Sequence, residues 1–220
     1  MQLEEFVNSH TPKDGGKAFE LENSKLLDVT LDGGIMAKAG TMVSYTGDIS
    51  FERKSAGGLK GMLKKKATGE GQVMMEASGT GHLYLADQGK EVQILELDAG
   101  EEISVNGNDV LAFEDSVDWD IKMLKSIAGA KSGGLFNVFL EGPGHVAITT
   151  HGKPIVLETP VSTDPNATVA WSGNVSPSSK RDIGIKSLIG RSSGETYQLE
   201  FAGNDGFVIV QPYEEVQPGQ

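Results

Sequence analysis

Lys125-Ser126-Ile127-Ala128-Gly129-Ala130-Lys131-Ser132-Gly133 and Lys186-Ser187-Leu188-Ile189-Gly190-Arg191-Ser192-Ser193-Gly194 are two copies of one phrase, 61 residues apart. Self-similarity at a fixed period marks a chain assembled from repeated units, and it governs how every local motif is read. Each copy runs through a strand-like stretch into a glycine turn, Gly142-Pro143-Gly144 in one and Gly203-Asn204-Asp205-Gly206 in the other. Gly79-Thr80-Gly81 is a third turn in the same setting, since the three turns begin eight residues after Gly71, Gly134 and Glu195. Upstream, each unit opens with an aromatic and a β-branched residue four positions on: Tyr45 and Ile49, Phe113 and Val117, Trp171 and Val175. Even spacing puts both on one face of a strand. Beyond each turn the alternation resumes, as Leu83 and Leu85, Val146 and Ile148, Val208 and Val210.

Period-two alternation also runs through Gln72–Glu76, Val117–Ile121, Phe136–Leu140 and Tyr197–Phe201, whereas helical periodicity is nearly absent. The expected class is therefore all-β. A unit of about 60 residues made of short strands cannot bury both faces alone, so three of them must share a core. The expected architecture is a closed double-stranded β-helix or β-prism built from three repeats with pseudo-threefold symmetry, and closure would also remove aggregation-prone sheet edges. The repeats are set at 18–81, 82–144 and 145–212, with polar, frayed ends at 1–17 and 213–220.

Composition narrows the setting. The 220 residues include 29 glycines, and 6% are aromatic, a turn-rich make-up. With no cysteine, disulfides, thiolate nucleophiles and Cys-based zinc sites are excluded, and a reducing compartment is favoured. The opening Met1-Gln2-Leu3-Glu4-Glu5 is acidic where a signal peptide or presequence would be basic, so the expected location is cytoplasmic. Nowhere do even twelve consecutive apolar residues occur, against about 20 needed to span a bilayer.

Gly40-Thr41-Met42-Val43 before the first aromatic, Gly69-Glu70 before the second strand pair, and the repeated Gly-x-Gly turns resemble the Altered Inheritance of Mitochondria protein 24 family, in its bacterial type, over residues 19–211. The resemblance implies a triplicated fold like that of the tryptophan RNA-binding attenuation protein. It brings no catalytic residues. The family's fungal mitochondrial member is associated with inner-membrane organisation.

Several motifs invite a chemical reading and are better read as structure. Gly190-Arg191-Ser192-Ser193-Gly194 has the G-x-S-x-G pattern of a nucleophile elbow, but a strand pattern follows it and the last histidine, His151, precedes it. Gly142-Pro143-Gly144-His145-Val146-Ala147 fits a dinucleotide fingerprint, yet it leads into a strand and not into the helix that phosphate binding needs. Of His10, His82, His145 and His151, only His82 and His145 occupy equivalent places, and no ligand set for a metal is complete. Alternation with Val117, Trp119 and Ile121 puts Asp118 and Asp120 on a solvated strand face, and the calcium-loop spacing is missing around them. No metal and no cofactor are expected, and the chain is read as not an enzyme.

Charge is what remains. The chain carries a net charge of −12, yet 13 of its 19 basic residues fall in three repeat-equivalent windows. These hold Arg53, Lys54, Lys60, Lys64, Lys65 and Lys66; Lys122, Lys125 and Lys131; and Lys180, Arg181, Lys186 and Arg191, against the single acid Asp182. A closed triplicated fold would bring the windows to one end as a basic rim. Lys60, Lys64, Lys65, Lys66, Lys125, Lys131, Lys186 and Arg191 are the candidate partner-binding residues, with Leu59, Met62 and Leu63 adding apolar contact. The expected function is a non-enzymatic binding or scaffold module for an acidic protein or an anionic membrane surface. Binding of RNA or single-stranded nucleic acid is the alternative, weakened because the windows lack interleaved aromatics for base stacking; an enzyme with an unrecognised site is third. Homo-oligomerisation is left open.

Overall fold

Period-two alternation, as in Asp118–Met123 and Tyr197–Phe201, and short apolar runs, as in Val110-Leu111-Ala112-Phe113 and Phe207–Val210, both produce strands. The computed structural model of the chain describes residues 1–12, 15–54, 74–123, 136–181 and 197–215. In order these form α1 (Leu3–His10), β1 (Phe19–Asn23), β2 (Leu26–Lys38), β3 (Met42–Lys54), β4 (Met74–Leu85), β5 (Glu91–Leu97), β6 (Glu102–Asn106), β7 (Val110–Glu114), β8 (Asp118–Met123), β9 (Phe136–Glu141), β10 (Gly144–Thr150), β11 (Ile155–Glu158), β12 (Val161–Thr163), β13 (Thr168–Ser172), β14 (Pro177–Arg181), β15 (Tyr197–Phe201) and β16 (Phe207–Val210). The fold is all-β apart from α1, whose residues are all exposed.

Every ladder is antiparallel. The first sheet runs β3-β4-β2-β7-β10-β5 with β1 added to β2, the second β11-β16-β13-β6-β9-β8, and the third β12-β15-β14. Registers recur between the sequence units: Tyr45 lies opposite Leu83, Phe113 opposite Val146, and Trp171 opposite Val208. Neighbouring units are joined through a second recurrent pairing, Met36 with Phe113 and Ser104 with Trp171. Repeated once more, that joint would pair Ser162 of β12 with Tyr45 of β3. No ladder makes it among the described residues, whose strands form three antiparallel sheets and no closed barrel. Exposure follows from this. Phe113 and Trp171 are flanked by strands on both sides and are buried, whereas Tyr45 sits on an end strand and is 47% exposed.

The units also differ in continuity. In the first, β3 and β4 pair without interruption from Ser44 opposite Tyr84 to Lys54 opposite Met74. Gly79 and Gly81, at φ +136° and +141°, allow this, because a Cβ at either position would overlap a carbonyl oxygen of β3. In the second unit Pro143 stands in the turn and has no N–H for a ladder, so the path is split into β9 and β10.

The largest core cluster draws Met36 from β2, Ile103 and Val105 from β6, Phe113 from β7, Leu140 from β9, Val146 from β10 and Ala170 from β13. Burying such side chains contributes roughly 1.5–3 kcal/mol each before conformational entropy is counted. That core spans all three sequence units. No helix among the described residues is long and apolar enough to cross a membrane.

Candidate functional site

Three hairpins carry the basic windows. Their ladders end at Lys54 opposite Met74, Met123 opposite Phe136, and Arg181 opposite Tyr197. Lys60, Lys64, Lys65 and Lys66 follow the first of these base pairs, Lys125 and Lys131 the second, Lys186 and Arg191 the third; all eight, with Ser192, lie outside the described residues. The bases themselves are placed. Met74 pairs with Lys38 at the end of β2, Asn137 with Asn106 at the end of β6, and Leu199 with Thr163 at the end of β12. Those three strands run into the turns at 39–41, 107–109 and 164–167. Each hairpin base therefore stands beside one turn.

A cluster of buried and half-buried charges ties the three turns together. Lys38 Nζ donates to Asp87 Oδ2 at 2.7 Å and to the Asn108 carbonyl at 2.8 Å, joining the first turn to the second. Lys90 Nζ donates to Asp109 Oδ1 at 2.8 Å and to Glu215. Glu215 also accepts from Asn108 Nδ2 at 3.4 Å, and its own N–H donates to the Asn166 carbonyl at 3.1 Å, which brings in the third turn. His151 closes the cluster, with Nε2 3.5 Å from Glu215 Oε1 and its ring against Tyr213.

Burial sets the electrostatics here. It pushes the Asp109 carboxyl up to about 7, the pull of Lys90 offsetting only part of the desolvation. Burial alone would lower Lys90, but the carboxylates of Asp109 and Glu215 outweigh it and hold the ammonium above its ordinary value. Glu215 is held below the usual carboxylate range, because hydrogen bonding and charge from Lys90 exceed its own desolvation. A lysine kept protonated is no nucleophile, since that role needs a depressed value. The chemistry of this arrangement is that of a clamp between turns.

Sequence reading missed the cluster. Asn106-Gly107-Asn108-Asp109 carries no motif that would single it out, and Glu215 falls in the stretch 213–220 that is expected to fray. The N-terminal stretch likewise holds α1 where fraying was expected.

The other singled-out residues have local partners. His82 Nδ1 lies 3.1 Å from Asp28 Oδ1, and His145 Nδ1 lies 3.1 Å from Glu114 Oε2, so the two equivalent histidines are each engaged with a separate carboxylate. Gly142-Pro143-Gly144 leads into β10, a strand. Asp118 and Asp120 are exposed while Val117 is buried and Trp119 and Ile121 are half-buried, in keeping with the alternation. Lys122, the described member of the second window, lays its Nζ over the Phe139 ring at 4.3 Å. Among the described residues no group of three or more His, Asp or Glu side chains is placed to hold a metal ion.

Comparison with known proteins sets this geometry in context. The chain is similar to a crystal structure of a Streptococcus pyogenes protein, with a TM-score of 0.68 and 22% identity, covering 89% of this chain and 92% of that one. At that identity the likeness shows the fold alone. Among curated proteins none matches. Residues 19–213 match the family described as Mitochondrial biogenesis AIM24, and the chain belongs to that family.

Proposed function

We propose that the protein is a non-catalytic binding scaffold that holds an anionic partner, an acidic protein face or an anionic membrane surface, on a rim of basic hairpin segments. The observation that carries this is the convergence of the three hairpin bases on turns that Lys38, Asp109 and Glu215 bind together. Sequence assigns a basic window to the segment that follows each of these bases. The reading includes a pseudo-threefold arrangement of three units, supported by the recurrent registers of Tyr45, Phe113 and Trp171. It takes the cytoplasm as the compartment. Like charges gathered at about 10 Å repel by only about 0.4 kcal/mol per pair in water, less with salt, so a basic rim is tolerable to the fold.

The test reverses the densest window, with Lys64→Glu, Lys65→Glu and Lys66→Glu made together. Each lysine near an anionic bilayer contributes about 1 kcal/mol, so the triple variant should bind phosphatidylserine-containing vesicles at least ~100-fold more weakly at low salt, with unchanged thermal unfolding. Polyglutamate as a probe distinguishes an acidic protein face from a membrane, and single-stranded RNA addresses the nucleic-acid alternative. A variant that binds every one of these polyanions as the wild type does would refute the basic rim.

A further inference from the structure

An apolar cleft of about 820 Å³ opens between β5, β6 and the β11–β16 pair, with Leu95, Leu97, Ile103, Val156, Phe207 and Ile209 on its walls. Its equivalent one unit earlier in the chain is already filled, and the filling shows how such a cleft is used. Leu83 lies opposite Val29 in the β4–β2 ladder as Val146 lies opposite Leu95 in the β10–β5 ladder, so Val29 and Leu31 correspond to Leu95 and Leu97. Ile35 corresponds to Ile103 by the same comparison, while Ile94, His145 and Ala147 correspond to Val156, Phe207 and Ile209. Into that earlier cleft β1 inserts Phe19. The strand pairs with β2, Phe19 sits opposite Val29, and Phe19 is 4% exposed within the core cluster that also holds Val29, Leu31, Ile35 and Ala147. It stacks on His145 at 5.9 Å with an interplanar angle of 18°.

The later cleft has the same walls and a receptive edge. Among the described residues β5 ends its sheet, with β10 as its one ladder partner. The Val92 N–H points away from β10 and donates to the Ser24 carbonyl at 2.8 Å, and by strand periodicity the N–H groups of Ile94 and Glu96 face the same way. Glu96 stands where Thr30 stands in β2, and the Thr30 N–H donates to the Ala18 carbonyl of the entering segment at 2.9 Å. We propose that this cleft is a strand-docking site for an extended segment of a partner protein, whose aromatic side chain lies opposite Leu95 on Phe207 and whose neighbouring side chains are cationic.

Charge selects the occupant. Glu96, Glu101 and Glu102 are exposed at the cleft. The β1 segment of a second copy carries Glu20 and Glu22 beside Phe19 and Leu21, which would set like charges together. The chain's own segments at 55–73, 124–135, 182–196 and 216–220 contain no aromatic residue. A basic aromatic segment from another protein fits both the apolar walls and the acidic rim, and strand addition to a free edge is an established mode of peptide recognition.

The test uses the end-capped peptide Lys-Ala-Phe-Lys-Leu-Lys, patterned on residues 17–22 with lysine in place of both glutamates. Titrated into isotope-labelled protein, it should shift the amides of Glu96, Leu97 and Phe207 in a saturable way. Replacing its phenylalanine by alanine should weaken binding about tenfold or more, the share of a buried aromatic side chain. Val156→Arg, at a position 63% exposed and thus harmless to the fold, should weaken it comparably. The Lys64–Lys66 triple variant should bind the peptide as the wild type does, which separates this site from the basic rim. Failure to saturate, equal binding of the alanine peptide, or shifts centred on Phe19 and Val29 would overturn the assignment. So would a concentration-dependent dimer dissolved by Val156→Arg, because the occupant would then be a second copy.

Discussion

Replacing Asp109 by asparagine should flatten the dependence of stability on pH, and the size of the change follows from where the carboxyl sits. Asp109 is 1% exposed at the start of β7, facing Lys90 at 2.8 Å, with Glu215 and Lys38 contributing to its field. Its carboxyl is pushed up to about 7 in the folded protein, against about 3.9 in an unfolded chain. Between those values the folded state holds a proton that the unfolded state has lost. Stability is then greatest below the unfolded value and falls by about 1.4 kcal/mol per pH unit as pH rises toward the folded one. Over some three units the loss approaches about 4 kcal/mol, and above pH 7 it is constant.

Two neighbours act in the opposite sense. His151 is lowered by burial and then by Lys90, so its contribution to stability grows as pH rises toward its unfolded value; Glu215, also lowered, loses its contribution only in acid. Both are common to wild type and variant. Urea unfolding of the two proteins from pH 4.5 to 8 therefore isolates Asp109, and Asp109→Asn should gain on the wild type steadily up to about pH 7. A difference that stays level over that range, or that moves in favour of the wild type, would refute the reasoning and mean that Asp109 is ionised throughout.

Lys90→Met at pH 8 should cost about 3–5 kcal/mol in the same assay, because it leaves Asp109 and Glu215 without their shared cation. Gly79→Ala should lower the melting temperature well beyond a surface substitution: the backbone there is at φ +136° and a Cβ would meet the Asp48 carbonyl, strain of about 1–3 kcal/mol before the overlap is relieved.

Much of the fold is legible in the chain because strands announce themselves locally. Alternation around Phe113, Val138 and Val146 needs only a residue and its neighbours to be read, and the 61-residue repeat extends that reading to equivalent places. The pairing of Trp171 with Val208 in the register of Phe113 with Val146 follows from two similar local sequences adopting similar local structures. Helix α1 escapes notice for a related reason. Leu3-Glu4-Glu5-Phe6-Val7-Asn8-Ser9-His10 is two turns long, its N-cap Gln2 makes no side-chain capping bond, and it lies beside no repeat that would draw attention to it.

The charged clamp is illegible for a different reason. Lys38, Lys90, Asp109 and Glu215 are up to 177 positions apart, and only the return of β2, β6 and β12 to one set of turns brings them within hydrogen-bond distance. The cleft beneath β5 is decided at the same level. Leu95 and Val29 read alike in sequence, but Val29 has Phe19 of β1 opposite it, whereas among the described residues Leu95 lines an open cleft.

Sequence by itself determined the all-β class, the period of the units, the glycine turns and the segregation of basic residues into three windows, since each depends on residue type and short-range spacing. Tertiary structure alone decided that the described strands form three sheets without a joint between Ser162 and Tyr45, and that Lys38, Lys90 and Glu215 tie three turns together. It also decided that one of two equivalent clefts stays open. Those outcomes turn on which edges meet and how much charge is desolvated, quantities that depend on distant residues coming together in space and have no local signature.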